Sequence, residues 1–140
     1  MFVKQISVFL ENKPGQLGKI TKTLREGSID IRAFSIADTV EFGILRLIVN
    51  KPEQAAELLR NKGFTAQLAD VLVAVMSDRI GAFDEIVSYL GENSIDVQYV
   101  YSFIGEIAAT GRVAIRTDKM NEAYEVLKAK GIEISSQESI

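Results

Sequence analysis

The sequence predicts an α+β fold made of two similar units, each with the strand and helix order β-α-β-β-α-β. Two observations predict it: an internal repeat, and apolar stretches that alternate between the spacing of strands and that of helices. The two copies span residues 1–69 and 70–140. Because no stretch rich in Pro, Gly or Ser separates them, we expect the units to pack together rather than to move freely.

The repeat consists of residues that recur at a constant offset of 66 positions. The matching residues are Gly15 and Gly81, Ile20 and Ile86, Leu24 and Leu90, and the tripeptide Ser-Ile-Asp at 28–30 and at 94–96. Towards the end of each copy the offset becomes 68, where Gly63 matches Gly131. The second copy therefore carries two extra residues but the same order of elements.

In the first copy, the spacing of apolar residues predicts each element in turn. The stretch VKQISVFL is rich in β-branched residues and predicts a strand. Leu17, Ile20 and Leu24 are spaced i, i+3 and i+7, which is one face of a helix. Two strands follow, IDIRAFSIAD and ILRLIVN. Pro52 then begins a second helix that ends near Gly63, and FTAQLAD is the fourth strand.

The second copy repeats this order. Its elements are VLVAVM, a helix near 81–92, DVQYVYSF, RVAIR, a helix near 119–130, and IEISS. An antiparallel four-stranded sheet with two helices on one face is the ferredoxin-like arrangement. A unit of this size has a small core and an open edge strand, so we expect the two units to be paired side by side.

The composition excludes several kinds of site. The chain has 140 residues, of which 47% are hydrophobic, and its net charge of -3 argues against nucleic acid and acidic membranes as partners. It has no cysteine and no histidine, which removes thiolate catalysis and the commonest metal ligand and general base. The start MFVKQISVFLENK is too short in its apolar part, and too soon interrupted by charge, to be expected to act as a signal peptide, and no apolar run approaches the roughly 20 residues of a membrane span. We expect a cytoplasmic protein without a cofactor or a metal.

The corner after the first strand resembles that of the ACT domain, a small amino-acid-binding regulatory module. The resemblance is carried by ENKPGQL followed by GSIDI and a pair of strands, and in the second copy by DRIGAFDEI and NSIDV. It implies a stand-alone tandem ACT protein that binds a small amino acid at the junction of two domains. It also implies allosteric regulation of an enzyme partner or of the protein's own assembly, as a homodimer or larger homo-oligomer, without catalysis.

The first candidate site that the resemblance implies joins the corner of the first copy to the second strand of the other copy. Free N–H groups at the start of the helix favour a ligand carboxylate, and Gly15 leaves room for close approach. The ligand ammonium requires an acceptor such as Asp96. The candidate residues are Asn12, Lys13, Pro14, Gly15, Gln16 and Leu17 on one side and Asp96, Val97, Gln98 and Tyr99 on the other.

The equivalent site of the second copy is expected to be weaker. Its candidate residues are Asp78, Arg79, Ile80 and Gly81, facing Asp30, Ile31 and Arg32. Ile80 stands where the first copy has Pro14, and Asp78 where it has Asn12. The negative charge of Asp78 near the helix start would compete with a ligand carboxylate.

Plainer interpretations stay open beside the ligand site. Asn12, Pro14 and Gly15 would then only build a turn, with Asn12 able to cap the helix. The aromatic residues at period two, Tyr99, Tyr101 and Phe103, would be core or inter-repeat packing residues, with contact of Tyr99 or Tyr101 to a ligand side chain as the alternative. The alternative function is a structural or protein-interaction module with vestigial sites. An enzyme is disfavoured because no pair of carboxylates with a plausible partner recurs at one site.

Overall fold

The structure, a computed structural model, describes residues 1–38, 42–105 and 110–140. The helices in these ranges are α1 (Gln16–Glu26), α2 (Pro52–Asn61), α3 (Ala82–Glu92) and α4 (Met120–Ala129), with a short 3-10 helix at Gln137–Ser139. The strands are β1 (Val3–Glu11), β2 (Ile31–Asp38), β3 (Phe42–Val49), β4 (Ala66–Ser77), β5 (Val97–Ser102) and β6 (Thr110–Thr117). None of these helices is long and apolar enough to cross a membrane.

The main departure from the predicted elements lies at the join between the copies. The sequence predicts separate strands at FTAQLAD and VLVAVM, but β4 runs without a break through both. This stretch contains neither Gly nor Pro, so nothing in it reverses the chain. The strand predicted at IEISS is reduced to one antiparallel bridge, between Ala74 and Ile134. It is held by a hydrogen bond of 2.9 Å from the Val75 N–H to the Glu133 carbonyl.

The described chain divides into two compact units. The first unit comprises Lys4–Ala69 together with Ile140, and the second comprises Met1–Val3 together with Asp70–Ser139. The division falls inside β4, which therefore contributes its first residues to the first unit and the rest to the second.

The first unit has an antiparallel sheet in the order β2-β3-β1-β4, with α1 and α2 packed on one face. In the ladder Ile6 lies opposite Leu47 and Val8 opposite Leu45, so these side chains point to the same face. The buried residues of this core are Ile6, Val8 and Leu10 of β1, Ile20 and Leu24 of α1, Ile29 between α1 and β2, Leu45, Leu47 and Val49 of β3, Ala55 and Leu59 of α2, and Ala66 of β4. Burial of each large side chain stabilises the unit by about 1.5–3 kcal/mol.

The second unit has the same plan, with strands in the order β4-β6-β5. Its core residues are Leu72 and Ala74 of β4, Ile86 and Leu90 of α3, Val113 and Ile115 of β6, and Ala123 and Leu127 of α4. Phe2, from the beginning of the chain, packs against this cluster, and its ring is nearly perpendicular to that of Tyr124, with the centroids 6.3 Å apart. The α+β class and the tandem ferredoxin-like arrangement predicted from the sequence are confirmed.

The first two residues of the repeated Ser-Ile-Asp tripeptide form the turn that ends the preceding helix in each unit. Ser28 and Ser94 both have φ 57°, the left-handed conformation that follows a helix end. The next N–H closes the helix by donating to a carbonyl five residues back, from Ile29 to Leu24 at 2.9 Å. This geometry ends α1 and α3 alike and turns the chain into β2 and β5, and it requires no ligand.

Candidate ligand-binding site

In the first unit, the predicted corner joins the end of β1 to the start of α1. The Lys13 N–H donates to the Glu11 carbonyl at 2.8 Å, and the Lys13 ammonium lies 2.8 Å from the Glu11 carboxylate. The first bond of the helix ladder runs from the Lys19 N–H to the Gly15 carbonyl at 3.1 Å. The preceding N–H groups of α1 therefore have no backbone acceptor in the described part of the chain, and they are free to meet an anion.

The backbone itself explains the glycine of this corner. Gly15 is the N-cap residue of α1 and has φ 88°, a left-handed conformation that other residues rarely adopt. A Cβ atom at Gly15 would have no neighbour within 4 Å, so the requirement is conformational rather than steric. The interpretation of Asn12 as a helix cap is wrong, because α1 has no side-chain cap hydrogen bond.

In the second unit, the corner between β4 and α3 has the same backbone. Gly81 is the N-cap residue with φ 89°, and the Arg79 N–H donates to the Ser77 carbonyl at 3.0 Å. The side chains differ, because the Arg79 guanidinium pairs with the carboxylate of Glu85 in the first turn of α3. Ile80, in place of the proline, is fully exposed. This corner thus uses its cation within its own helix.

Asp30 and Asp96 occupy equivalent places just before β2 and β5. The Asp30 N–H donates to Asn50 Oδ1 and the Asp96 N–H to Asp118 Oδ1, both at 2.9 Å. Their side chains differ, because Arg32 Nη1 lies 3.2 Å from Asp30 Oδ2. No salt bridge to the Asp96 carboxylate is present among the described residues. The carboxylate of Asp96 is therefore available to a ligand cation, whereas that of Asp30 is paired with Arg32.

Both strands that follow these aspartates carry a β-bulge at a candidate residue. The ladder slips at Arg32 in β2 and at Gln98 in β5. A bulge bends its strand and redirects side chains, and such bulges are common next to binding sites. Arg32 is half-buried and Gln98 is exposed. Arg32 lies beside Asp30, and the second copy has the neutral side chain of Gln98 at this position.

Of the three aromatic residues at period two in the second unit, two are buried and one, Tyr99, is a candidate for ligand contact. Tyr101 and Phe103 are buried, at 9% and 8% exposure, and the Arg112 guanidinium lies 4.5 Å from the centre of the Phe103 ring. Tyr99 is half-buried and stacks on Tyr101 with the centroids 6.4 Å apart. The core interpretation is therefore correct for Tyr101 and Phe103, whereas part of the Tyr99 ring is open to solvent.

The remaining candidate residues lie on the surface in their own units. Those that are exposed are Asn12, Lys13, Pro14, Gly15, Leu17, Asp78, Arg79, Ile80, Gly81, Asp30 and Asp96. Gln16, Ile31 and Val97 are half-buried. Within residues 1–38, 42–105 and 110–140 the carboxylates form no cluster of three or more that could hold a metal ion. The chemistry on offer is binding of an anion by helix N–H groups and of a cation by Asp96.

A groove that the sequence patterns did not indicate lies entirely in the first unit. Its volume is about 680 Å³, and it runs along α1 between the end of β1 and the segment that joins α2 to β4. Its lining residues are Phe9, Leu10, Glu11, Gln16, Lys19, Lys22, Thr23, Glu26, Phe42, Lys62, Gly63, Phe64 and Thr65. The groove is called the α1 groove below.

The second unit has an equivalent groove along α3, with a volume of about 390 Å³. Tyr89 stands there where the α1 groove has Thr23, and Glu85 where it has Lys19. Lys130, which matches Lys62, places its ammonium 5.3 Å from the centre of the Tyr89 ring. A comparison of the two copies for changes of charge and size would have indicated this difference from the sequence.

Comparison with known proteins places this geometry in a family. The model of the family described as the ACT domain pair matches residues 1–140, and the chain belongs to this family. The resemblance that the sequence analysis found is thereby confirmed. No curated protein sequence matches the chain.

Solved structures show the same fold. Protein BT0572 from Bacteroides thetaiotaomicron is 33% identical with a TM-score of 0.92, covering 99% of this chain and 94% of that one. The ligand-free regulatory subunit of aspartate kinase from Thermus thermophilus is 15% identical with a TM-score of 0.64, covering 90% and 91%. The corresponding subunit from Thermus flavus is also 15% identical, with a TM-score of 0.63 and coverage of 90% and 88%. At 15% identity the similarity shows the fold alone.

Proposed function

We propose that the chain is a non-catalytic, cytoplasmic regulatory protein that binds a small amino acid and thereby changes the activity of an enzyme partner or its own assembly as a homodimer. Its membership of the ACT domain pair family supports a regulatory role. The names of the Thermus neighbours, regulatory subunits of aspartate kinase, agree with an enzyme partner. The observation that carries the proposal is the contrast between the Asp96 and Asp30 carboxylates.

The proposed site uses two elements of opposite polarity. The Asn12–Leu17 corner offers N–H groups that have no backbone acceptor among the described residues, and such groups suit the carboxylate of an amino acid. Asp96 offers a carboxylate that forms no salt bridge with any described residue, which suits the ammonium of an amino acid. Val97, Gln98 and Tyr99 would contact the rest of the ligand. The two elements would contribute to one site, and the homologous elements of the other copies would form the weaker one.

The second site is proposed to be weaker because its aspartate is already paired. Arg32 lies 3.2 Å from the Asp30 carboxylate, whereas no salt bridge to Asp96 is present among the described residues. A ligand ammonium would have to displace Arg32 before it formed the equivalent contact, and this displacement lowers its affinity. Asp78 adds a negative charge near the start of α3, where a ligand carboxylate would bind.

A thermal-shift screen of the common amino acids tests the proposal. A ligand that binds only the folded protein, at about 100 times its dissociation constant, stabilises it by about 2.7 kcal/mol. We expect at least one small amino acid to raise the melting temperature of the wild type. A flat screen would contradict the proposal and favour a structural or protein-interaction module.

Matched variants then test the residues. We expect Asp96→Asn to abolish the shift and Asp30→Asn to leave most of it. Gln98→Arg gives Asp96 the arginine that Asp30 has in Arg32, and it should weaken binding about tenfold. Equal loss in Asp30→Asn and Asp96→Asn would contradict the assignment. Substitutions of Gly15 are a poor test, because its φ of 88° makes any side chain there strain the corner.

A further inference from the structure

We propose that the α1 groove is a second binding site, separate from the amino-acid site, and that it takes an organic anion with an aromatic or other flat apolar group. Its volume of about 680 Å³ falls within the range of small-molecule sites, about 300–1,000 Å³. It shares Gln16 with the residues proposed to bind an amino acid and is otherwise lined by different side chains. The inference therefore does not depend on the proposed amino-acid site.

The groove has positive charge to offer. Lys19 and Lys62 form no ion pair with any described residue. The third lysine of the lining, Lys22, lies 4.0 Å from the Glu26 carboxylate, and Glu11 is engaged by Lys13. Two ammonium groups thus border one cavity, and the acidic side chains beside them already have partners. This arrangement favours a ligand with negative charge.

The groove also has apolar surface to offer. Phe9 and Phe42 remain 40% and 39% exposed, although both belong to strands whose other apolar residues are mostly buried. Their ring centroids are 5.7 Å apart and the rings are tilted by 59°. Both residues line the α1 groove, so an apolar group of a ligand can pack against them and remove apolar area from water. Because both lysines and phenylalanines line the same groove, we expect it to bind an amphipathic organic anion more tightly than a simple inorganic anion.

The second unit shows what the same groove is like without these features. Phe9 is matched by Val75 and Lys19 by Glu85, and Tyr89 fills space that Thr23 leaves open. Its lysine, Lys130, faces the Tyr89 ring instead of an open cavity. The groove along α3 therefore serves as an internal control, because it is smaller and both of its cations, Arg79 and Lys130, have partners within the unit.

Fluorescence titration with the aromatic sulfonate 1-anilinonaphthalene-8-sulfonate tests the inference, and its uncharged analogue N-phenyl-1-naphthylamine tests the need for charge. We expect the sulfonate to bind the intact wild-type chain at one site per chain and the analogue to bind at least tenfold more weakly. Lys19→Gln combined with Lys62→Gln should weaken sulfonate binding by tenfold or more, whereas Lys130→Gln should leave it unchanged. These lysines are exposed, so each variant should melt cooperatively like the wild type.

A steric pair completes the test. Thr65→Trp fills the α1 groove without changing its charge and should abolish binding of the sulfonate. Glu133→Trp, at the matching position of the other groove, should not. The inference is overturned if the sulfonate binds Thr65→Trp as it binds the wild type, if the lysine variants bind unchanged, or if the neutral analogue binds as tightly as the sulfonate.

Discussion

The corners that open α1 and α3 have the same backbone and different side-chain contacts. Gly15 and Gly81 have φ values of 88° and 89° and cap their helices in the same way. In the first unit the local ion pair is Glu11 with Lys13, which leaves Lys19 facing an open groove. In the second unit the arginine of the corner pairs with Glu85 on the helix. The features that both units share serve folding, and the features that differ indicate where binding is to be sought.

The largest expected effect is a loss of stability in variants of the core residues that the two units share. Leu24 and Leu90 are matching core residues and both are fully buried. We expect Leu24→Ala and Leu90→Ala each to lower the free energy of unfolding by about 2–5 kcal/mol, because each deletes buried methyl groups and leaves a cavity. Urea unfolding followed by circular dichroism measures both. A loss in one variant several times that in the other would show that the two cores are not equivalent.

A smaller effect is expected where the two cores differ in packing. A Cβ atom on Gly27 would clash with Cδ1 of Leu58. The matching positions in the second unit hold Asn93, whose side chain donates to the Tyr89 carbonyl at 2.8 Å, and the shorter Val126. We expect Gly27→Asn to destabilise the protein by about 1–3 kcal/mol, since it overpacks this contact.

A double-mutant cycle separates the clash from other causes. In a Leu58→Val background, Gly27→Asn should cost less by about 0.5–3 kcal/mol, because the shorter side chain makes room for the new Cβ atom. The same measurement of unfolding free energy is used for all four proteins. If Gly27→Asn costs the same in the wild-type background and in the Leu58→Val background, the steric account of this glycine is wrong.

The fold could be predicted in most respects because the sequence repeats itself. Two copies with the same apolar spacing indicate the same elements twice, and the helix ends follow from Gly63 and Gly131. The merging of two predicted strands into β4 was not predicted. Alternating apolar residues locate a strand but do not mark its end when Gly and Pro are absent. The sequence also leaves open whether IEISS pairs along its length, and only Ile134 forms a bridge.

The candidate site could be predicted only in outline. The glycine corners and the matching aspartates are visible as repeated residues, but the bulge at Arg32 in β2 is not. A bulge changes side-chain direction without leaving a clear sequence signal. The α1 groove depends on the volume between elements that are distant in sequence, and Thr23 and Lys62 acquire significance only once α1 and the α2–β4 segment are side by side.

The smallest expected effect concerns the ion pair of the first corner and its dependence on pH. The hydrogen bond from Lys13, together with its positive charge, lowers the pKa of the Glu11 carboxyl below its ordinary value of 4.5. A lowered pKa in the folded state means that the stabilising contact is complete above the ordinary value and is lost as the pH falls through the folded value. Both side chains are exposed, so salt should weaken the contact and raise the pKa of Glu11.

Carboxyl titration by NMR with matched variants tests this contact. Lys13→Met should raise the pKa of Glu11 towards 4.5 by removing its largest cause of depression, and added salt should then have little further effect. Arg79→Met, at the matching position of the second corner, should leave the pKa of Glu11 unchanged, because Arg79 pairs with Glu85. An unchanged Glu11 pKa in Lys13→Met would mean that Lys13 is not held at the corner, and Lys13 would then be available to a ligand carboxylate along with the free N–H groups of α1.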